Sequence, residues 1–348
     1  MTAAPLRLGL IGAGRWGRVF IETLEHLDTA NFVRLASTNP DSSTLVDDRC
    51  VISKNWQDVA GANDIDGVII ATPPAVHAQM AHAAIAAGNP VLVEKPLTLD
   101  VDQARALLDF AESKAAIVHV DHVHLYHPAY RALKNEGLGL GPLHAIRSGA
   151  GNKGPVRSDA SVLWDWGPHD VAMCLDLMGE KPTGVSARLG EQRQVEGGMG
   201  ESIALQLTFA GGLKADIGLS NILEKKKRFL AAHYDHKSLI YDACAQDMLV
   251  LEPRPDDAKC LPEEATVIDV PDVMALDQVL KDFMKAIIKA ETDLLLIRTG
   301  YEEHRNKKKY WQKNPGLSVD LARKLRTNNP NIRAVGVDVI SITSRLHR

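Results

Sequence analysis

The sequence predicts an α/β fold in which a doubly wound parallel sheet is followed by an α+β domain with a mostly antiparallel, open sheet. Over residues 1–121, short apolar runs with strand character alternate with segments of helical periodicity. Such alternation is typical of parallel strands joined by helices. From about residue 122, strand candidates follow one another, and short turns such as Ala210-Gly211-Gly212 join some of them. A chain of 348 residues has room for two domains of ordinary size.

The first strand candidate runs directly into a glycine-rich turn. After the apolar residues of 8–11, Gly12, Gly14 and Gly17 follow at the spacing G-x-G-x-x-G, and a helical pattern begins. The first glycine allows a tight turn, the second lets the backbone approach a pyrophosphate, and the third lets the helix pack close to the strand. A pyrophosphate binds the unpaired N–H groups and positive dipole of such a helix. The turn, with Arg15 and Trp16, therefore predicts a dinucleotide site; a purely structural glycine turn is the alternative.

The rest of the first domain continues the alternation and delivers polar residues to strand ends. The predicted strands are Phe32–Ser37, Gly67–Ala71, Val91–Val93 and Ile117–Val120, and the predicted helices are Ala75–Ala87 and Val101–Ala111. Ligands of such sheets bind at the carboxyl ends of the strands. The glycine turn, Thr72-Pro73 and Glu94-Lys95-Pro96 all lie at such ends, so we expect them to share one crevice.

The second strand ends without the usual carboxylate. A dinucleotide fold commonly carries an acid there to bind the ribose hydroxyls, whereas this chain has Ser37-Thr38-Asn39, with Asp41 slightly later. A missing carboxylate removes the repulsion of a 2′-phosphate, but no arginine stands at Ser37 or Thr38 to bind that phosphate. The expected cofactor is therefore NAD(P), with the choice between NAD and NADP left open.

The second domain is expected to span residues 122–292. Its strand candidates are Leu143–Gly149, Pro182–Gly190, Glu201–Phe209, Gly212–Ser220, Arg228–Ala232 and Ser238–Tyr241. Met274–Lys289 is predicted to be a closing helix. Its apolar residues Leu276, Val279, Leu280, Phe283 and Ile287 recur at helical spacing on one face.

Lys95 is the first candidate for chemistry. An ammonium at a strand end beside the cofactor crevice can hold a hydroxyl or carbonyl oxygen, and its pKa falls readily when it is desolvated. The proline that follows favours a placed side chain. A surface lysine at the start of a loop is the alternative.

The segment Arg157–Asp170 is the second concentration of candidates. Asp165 and His169 are four residues apart, so they share a face if the segment is helical. A carboxylate beside an imidazole makes an oriented general base. The equally weighted alternative is that Asp165 caps a helix starting near Gly167, while His169 merely packs.

Four histidines, His119, His122, His124 and His127, raise the question of a metal site. Neither a cysteine nor a carboxylate pattern beyond Asp121 completes a ligand set, so no metal is expected. A polar lining of the pocket between the domains is the preferred interpretation for this stretch, with a surface position for His127.

Composition and charge narrow the class of protein. No apolar run approaches the ~20 residues that span a bilayer. Four scattered cysteines without C-x-x-C fit a reducing cytoplasm. Residues 293–348 hold 12 Lys/Arg and 5 Asp/Glu, a net of +7, which leaves 28 and 39, a net of −11, for residues 1–292. An acidic body argues against nucleic-acid binding, and the basic run Lys307–Lys309 is interpreted as a solvated face.

Several motifs together support a family resemblance. They are Gly12-x-Gly14-x-x-Gly17, Ala71-Thr72-Pro73 with His77, Gly88, Val91–Val93 leading into Glu94-Lys95-Pro96, and Asp165-x-Gly167-x-His169-Asp170. In this order and spacing, residues 1–290 resemble the glucose–fructose oxidoreductase/inositol dehydrogenase/MocA (Gfo/Idh/MocA) family. The resemblance implies a Rossmann domain over residues 1–121 and an open sheet that forms homodimers or homotetramers.

The resemblance also implies an activity. The family's usual substrates are sugars, nucleotide sugars and cyclitols, oxidised at a ring hydroxyl: His169 takes the proton, Lys95 holds the oxygen, Asp165 assists and a hydride goes to the nicotinamide. Thr72, Pro73, His77, Glu94 and Lys95 would contact the cofactor. The sugar pocket would be lined by Lys95, His122, His124, Arg157, Asp159, Trp164, Asp165 and His169. A cofactor-binding sensor of the same fold without turnover is the alternative function.

The chain departs from this family near Thr292. Residues 294–301, 314–318 and 334–344 instead resemble an interior piece of the cyclase or arylformamidase hydrolases. That family's motif His-x-Gly-Thr-His-x-Asp occurs nowhere in the chain, so a metal-dependent hydrolase has no support beyond this tail. A strand, helix and strand cannot bury their apolar faces alone. We therefore expect residues 293–348 to be a fused or mis-joined fragment without activity.

Overall fold

The computed structural model describes residues 4–157, 159–254 and 265–291, together with the two short strands at 294–297 and 334–337. The chain divides into two compact units, residues 1–281 and 282–348. The first unit contains both large sheets. No helix in the described part of the chain is long and apolar enough to cross a membrane.

The first sheet is parallel throughout and has six strands in the described residues. They are β1 (Leu6–Ile11), β2 (Ala30–Ala36), β3 (Val51–Ser53), β4 (Gly67–Ile70), β5 (Val91–Glu94) and β6 (Val118–Asp121). Their order, β3-β2-β1-β4-β5-β6, reverses direction beside β1, which is where such sheets bind dinucleotides. This arrangement confirms the predicted doubly wound fold.

Four helices accompany the first sheet. They are α1 (Arg15–Glu25), α2 (Gln57–Ala60), α3 (His77–Ala86) and α4 (Val101–Ser113). Three of them, α1, α3 and α4, lie where the apolar pattern placed them. Strand β4 is buried over its whole length, because helices pack on both of its faces. The short elements β3 and α2 were not predicted, since three and four residues carry no readable period.

The second sheet has eight strands among the described residues and is mostly antiparallel. They are β7 (Ala145–Lys153), β8 (Gly184–Val195), β9 (Gly198–Thr208), β10 (Lys214–Ser220), β11 (Ile222–His233), β12 (Lys237–Asp242), β13 (Leu249–Pro253) and β14 (Thr266–Val267). The order is β14-β13-β12-β11-β7-β10-β9-β8, with one parallel pair between β7 and β10. The predicted open sheet is confirmed.

Two helices of this part pack against one face of the sheet, and a third follows it. They are α5 (Pro128–Gly137), α6 (Val162–Met178) and α7 (Ala275–Glu291). Apolar residues of the sheet, α5 and α6 form one buried core. Helix α5 was not predicted, and α6 begins at Val162 after Ser161, so the alternative in which Asp165 caps a helix starting near Gly167 is wrong. Pro168 lies inside α6 and obscured the helix, because proline normally interrupts a helical pattern.

The second unit is described only in part. Strands β15 (Leu294–Ile297) and β16 (Ala334–Val337) pair in parallel. The stretch 314–318 that carries part of the hydrolase resemblance lies outside the described residues.

Candidate active site

The glycine turn between β1 and α1 forms a cradle. Gly12 has φ +104°, and a Cβ there would lie 2.5 Å from the Ala71 carbonyl oxygen. A Cβ on Gly17 would lie 2.1 Å from the carbonyl oxygen of Gly12. A Cβ on Gly14 would meet no atom within 4 Å, and no side chain caps α1 at this residue. The open space at Gly14 and the uncapped N–H groups of α1 therefore fit a pyrophosphate.

A cavity of about 900 Å³ opens over this turn. It lies at the carboxyl ends of β1, β2, β3 and β4. Its lining includes the predicted residues Gly12, Gly14, Arg15, Ser37, Thr38, Thr72 and Pro73, and it adds Arg18, Asn39, Lys54, Trp56 and Met80. Trp16 instead lines a neighbouring groove and is 39% exposed. The cavity is large enough and polar enough at its rim for a dinucleotide.

His77 does not line the cofactor cavity, although a direct contact with the cofactor was expected. Its side chain is fully buried, Nδ1 lies 2.8 Å from the Pro96 carbonyl oxygen, and Nε2 lies 2.8 Å from that of Thr72. Burial lowers the pKa of this imidazole. His77 thus ties together two strand ends, at Thr72 and Pro96. Thr72 lines the cavity, whereas Glu94, Lys95 and Pro96, which were expected to share the crevice, are not among its lining residues.

Lys95 connects the end of β5 to helix α6. It follows β5, and its Nζ donates to the Asp165 carbonyl oxygen at 2.6 Å and approaches Asp165 Oδ1 at 3.4 Å. The Lys95 side chain is 9% exposed, and Asp165 lies in the first turn of α6. Lys95 is therefore not a free surface lysine: its ammonium is held at the end of β5, against α6.

Arg157 completes an ionic chain with Asp165. Its Nη1 lies 3.5 Å from Asp165 Oδ1, while Nε and Nη2 donate to Asp159 at 2.9 and 2.7 Å. The guanidinium lowers the pKa of Asp159. Trp164, next to Asp165, is 39% exposed. Three of the predicted pocket residues, Asp165, Arg157 and Asp159, are thus linked to the Lys95 ammonium by a chain of ionic contacts.

His169 lies in a cluster of imidazoles on α6 and on the segment after β6. Its ring centroid is 4.7 Å from that of His124 and 6.5 Å from that of His122. Burial lowers the pKa of all three, that of His122 to about 4. Burial thus favours the neutral form of His169, which is the form that can accept a proton.

In the structure, the Asp165 carboxylate does not serve as the predicted orienting partner of His169. The Asp165 carboxylate is bonded to Lys95 and approached by Arg157, and Nδ1 of His169 is buried without a hydrogen-bond partner among the described residues. The i, i+4 spacing does place both residues on one helix. Two cations at the carboxylate outweigh a neutral imidazole in attracting it.

The remaining histidines have local partners. His119 Nε2 lies 2.9 Å from the Tyr126 hydroxyl, and His127 Nδ1 accepts from the Ala129 N–H at the start of α5. Within the described ranges, no three His, Cys, Asp or Glu residues lie together so that they could hold a metal ion.

An ion pair behind His169 was not foreseen. Arg228 on β11 donates from Nη1 to Asp170 Oδ2 at 2.8 Å, and these side chains are 4% and 0% exposed. Ser148 on β7 also donates to the Asp170 carboxylate. The pair ties α6 to the centre of the second sheet, next to His169. Arg228 follows a run of three lysines, and because such a run is usually a solvated face, nothing in the sequence marks Arg228 as a buried cation.

Two carboxyl groups are buried side by side, on the residues that directly precede Lys95 and His122 in the chain. Glu94 and Asp121 are paired in register at the ends of β5 and β6 and are 6% and 1% exposed. Neither oxygen of Asp121 has a hydrogen-bond partner of good geometry in the described structure. Burial raises the pKa of Glu94 well above its ordinary value and that of Asp121 to about 6. Aligning the two strand ends in the sequence would have found this pair.

Asp121→Asn is expected to stabilise the protein above pH 6 and to do so less below it. An unfolded chain has the ordinary Asp pKa of 3.8, whereas the folded value is about 6. Stability contributed by the protonated form is therefore complete below the lower value and is lost as the pH rises through the higher one. The loss amounts to about 3 kcal/mol at high pH. The asparagine side chain does not ionise, so the Asp121→Asn variant avoids this loss of stability.

Thermal unfolding at about pH 5 and about pH 8 measures this difference. Asp102, whose side chain is 84% exposed, offers the control Asp102→Asn, which should shift Tm equally at both pH values. A Tm gain for Asp121→Asn that is the same at both pH values would contradict a titrating buried carboxyl.

Fold and cavity together define the class of protein. A parallel sheet in dinucleotide-binding order, a glycine cradle under a cavity, and a second open sheet that brings α6 to Lys95 are the parts of an NAD(P)-binding oxidoreductase. The family comparisons agree. The model of the Gfo/Idh/MocA oxidoreductase family, NAD-binding Rossmann fold, matches residues 6–122, and that of the Gfo/Idh/MocA C-terminal domain matches residues 140–239.

These two matches cover more than half of the chain, which therefore belongs to the Gfo/Idh/MocA oxidoreductase family. Residues 6–122 are its NAD(P)-binding domain. A third model, of the Cyclase family, matches residues 231–344 and overlaps the last strands of the second sheet. The match partly supports the predicted resemblance of residues 293–348 to the cyclase hydrolases.

Individual relatives give the same picture. A candidate oxidoreductase from Magnetospirillum magnetotacticum MS-1 has a crystal structure that matches with TM-score 0.77 and 43% identity, over 82% of this chain and 92% of that one. UDP-N-acetylglucosamine 3-dehydrogenase of Acidithiobacillus ferrooxidans is 28% identical over 52% of this chain and 57% of its own length. Inositol 2-dehydrogenase of Rhizobium meliloti is 28% identical over 62% and 68%. The chain thus spans a little over half to two thirds of these two curated relatives.

Proposed function

We propose that this protein is an NAD(P)-dependent dehydrogenase that oxidises a ring hydroxyl, or reduces the corresponding ketone, of a sugar, nucleotide sugar or cyclitol. The observation that carries the proposal is the meeting of Lys95 with α6. The Lys95 ammonium lies 2.6 Å from the carbonyl oxygen of Asp165, one helical turn before His169. An ammonium and a neutral imidazole are groups that suit alcohol oxidation. The ammonium lies at the end of β5, next to strand β4, whose end lines the dinucleotide cavity.

Each residue has a distinct task in this proposal. Lys95 donates a hydrogen bond to the reacting oxygen and stabilises the negative charge that develops there. His169 accepts the hydroxyl proton, and in the reverse direction it returns that proton to the oxygen. Asp165 holds the Lys95 ammonium in place. When bound, the nicotinamide supplies the hydride acceptor of the oxidation or the hydride donor of the reduction.

The groups around Lys95 suit a polyhydroxylated ring. Arg157 and Asp159 present donors and acceptors, and Trp164 offers a half-exposed aromatic face. His122 and His124 add imidazoles beside His169. The names of the relatives from A. ferrooxidans and R. meliloti, which specify a nucleotide sugar and inositol, support this substrate class.

The open sheet supports the proposal of a homodimer or homotetramer. Its outer strand β8 is exposed along most of its length and carries Val185 and Leu189, which are 64% and 53% exposed. Apolar side chains on a sheet face of this size are typical of a subunit contact. Sedimentation analysis giving the monomer mass at micromolar concentration would contradict it.

Turnover on a sugar panel is the direct test. Incubation with NAD or NADP and a panel of sugars, nucleotide sugars and cyclitols is expected to produce the absorbance of reduced nicotinamide with at least one compound. His169→Asn should abolish the signal for that compound while cofactor binding persists. Tight cofactor binding without turnover across the whole panel would favour the alternative of a sensor with this fold. Turnover that survives His169→Asn would contradict the assignment of the base.

A further inference from the structure

The far end of the cofactor cavity, at the ends of β2 and β3, has features that the glycine cradle does not explain. The Ser37 N–H donates to the Ser53 carbonyl oxygen at 2.9 Å, so the segments leaving the two strands run side by side. Ser37, Thr38 and Asn39 line the cavity from the first segment, and Lys54 and Trp56 line it from the second. In a dinucleotide fold, this is where the adenosine ribose is bound.

The charged side chains that line this cavity are all positive. Arg15, Arg18 and Lys54 line the cavity, and no Asp or Glu does. None of these three cations has an ion-pair partner within the described ranges 4–157, 159–254 and 265–291. Three uncompensated cations around a cavity attract an anion.

Two carboxylates on the adjoining segments, Asp58 and Asp41, do not line the cavity. Asp58 accepts from Ser53 Oγ at 2.6 Å and from Asn55 Nδ2 at 3.1 Å, and it does not line the cavity. Asp41 lies on the exposed turn after Asn39, whose Oδ1 accepts from the Asp41 N–H. Neither carboxylate is therefore placed to accept from two ribose hydroxyls, as the acid of an NAD-selective site does.

A hydroxyl donor is available beside the cations. Ser37 Oγ accepts from the Asn39 N–H at 3.1 Å, which orients the hydroxyl and leaves its own proton for another acceptor. Thr38 adds a second hydroxyl to the lining. Hydroxyl donors with a lysine and arginines form a suitable set for a phosphate monoester, whose oxygens accept several charge-assisted hydrogen bonds.

We infer that Ser37, Thr38, Lys54 and Arg15 form a subsite for the 2′-phosphate of the adenosine ribose, so that this chain prefers NADP(H) to NAD(H). The inference depends on cofactor binding by the Rossmann domain and not on the sugar-type substrate. A failed substrate panel therefore leaves it intact.

Binding of NADPH and NADH without substrate tests the inference. Nicotinamide fluorescence titrations should give a Kd for NADPH at least about tenfold below that for NADH. Because of its additional charge, the NADPH Kd should also rise more steeply with salt. Adenosine 2′,5′-bisphosphate should displace NADPH at lower concentration than 5′-AMP does. A smaller ratio of the two Kd values, or tighter binding of NADH, overturns the inference.

Two substitutions test whether Lys54 and Ser37 belong to the proposed phosphate subsite. Lys54→Met should weaken NADPH about tenfold and leave NADH unchanged, and Ser37→Asp should reverse the preference, because a carboxylate accepts from ribose hydroxyls and repels a phosphate. The control Lys153→Met removes an exposed lysine at the end of β7, outside the cavity, and should change neither Kd. An unchanged NADPH Kd in both Lys54→Met and Ser37→Asp overturns the assignment of the subsite to these side chains.

Discussion

Lys95→Met is expected to lower kcat by about 10²- to 10⁴-fold while NAD(P)H binds as tightly as in the wild type, the range typical of a positioned proton-transfer or charge-stabilising group. Methionine keeps the length of the side chain and removes the ammonium that is bonded to the Asp165 carbonyl oxygen. Asp165 keeps its contact with Arg157, so the first turn of α6 should be retained. Steady-state rates with the best compound of the sugar panel, and fluorescence titration of the cofactor, measure the two quantities.

A double variant sharpens this test. If Lys95 and His169 act on the same oxygen and its proton, Lys95→Met/His169→Asn should be about as slow as the slower single variant, because residues that act as a unit are not additive. Lys114, an exposed lysine at the end of α4, provides the control Lys114→Met, which should keep the wild-type rate. Rates within a factor of about three of wild type for both single variants would exclude the proposed roles.

Arg228→Met is expected to lower the free energy of unfolding by about 3–5 kcal/mol, because it leaves the buried Asp170 carboxylate without its cation. The two side chains are 4% and 0% exposed, so water cannot replace the lost partner. Burial already raises the pKa of Asp170 even with Arg228 present. Denaturation with urea measures the change, and the loss should be smaller at acid pH, where Asp170 becomes protonated.

Two further variants test whether the loss of stability comes from leaving a buried charge unpaired. Arg228→Met/Asp170→Leu removes both charges and should be more stable than Arg228→Met alone. Lys134→Met breaks the half-exposed pair with Asp176, whose side chains are 43% and 34% exposed, and should cost about 1 kcal/mol or less. Equal losses for Arg228→Met and Lys134→Met would show that burial does not determine the contribution of Arg228.

Local patterns made much of the fold predictable. The alternation of strand and helix over residues 1–121 has a clear period, and the structure confirms the doubly wound sheet that it implies. Elements without a readable period were missed, such as β3 and α2, and α6 was obscured by Pro168. The glycine spacing was informative because two glycines are required by backbone contacts and the third opens to the cavity.

The sequence proposed the residues of the candidate site but did not predict their contacts. The motifs singled out Lys95, Asp165 and His169, and the structure places Lys95 directly after β5 and the other two on α6. The predicted partner of Asp165 was His169, whereas its actual partners are Lys95 and Arg157. Sequence spacing shows which residues share a helix face, but the neighbouring cations come from segments that lie 70 and 8 residues away.

By itself, the sequence determined the class of this protein: backbone conformation and strand period are local properties, so the glycine turn, the alternation and the Glu94-Lys95-Pro96 strand end could be recognised from neighbouring residues. Only the tertiary structure decided the electrostatics. Contacts between distant segments bring Glu94 to Asp121, Asp170 to Arg228 and Lys95 to Asp165. Burial in the folded chain lowers the pKa of His169. The physical reason is that charge energies depend on burial and on distances of a few ångströms between segments far apart in the chain.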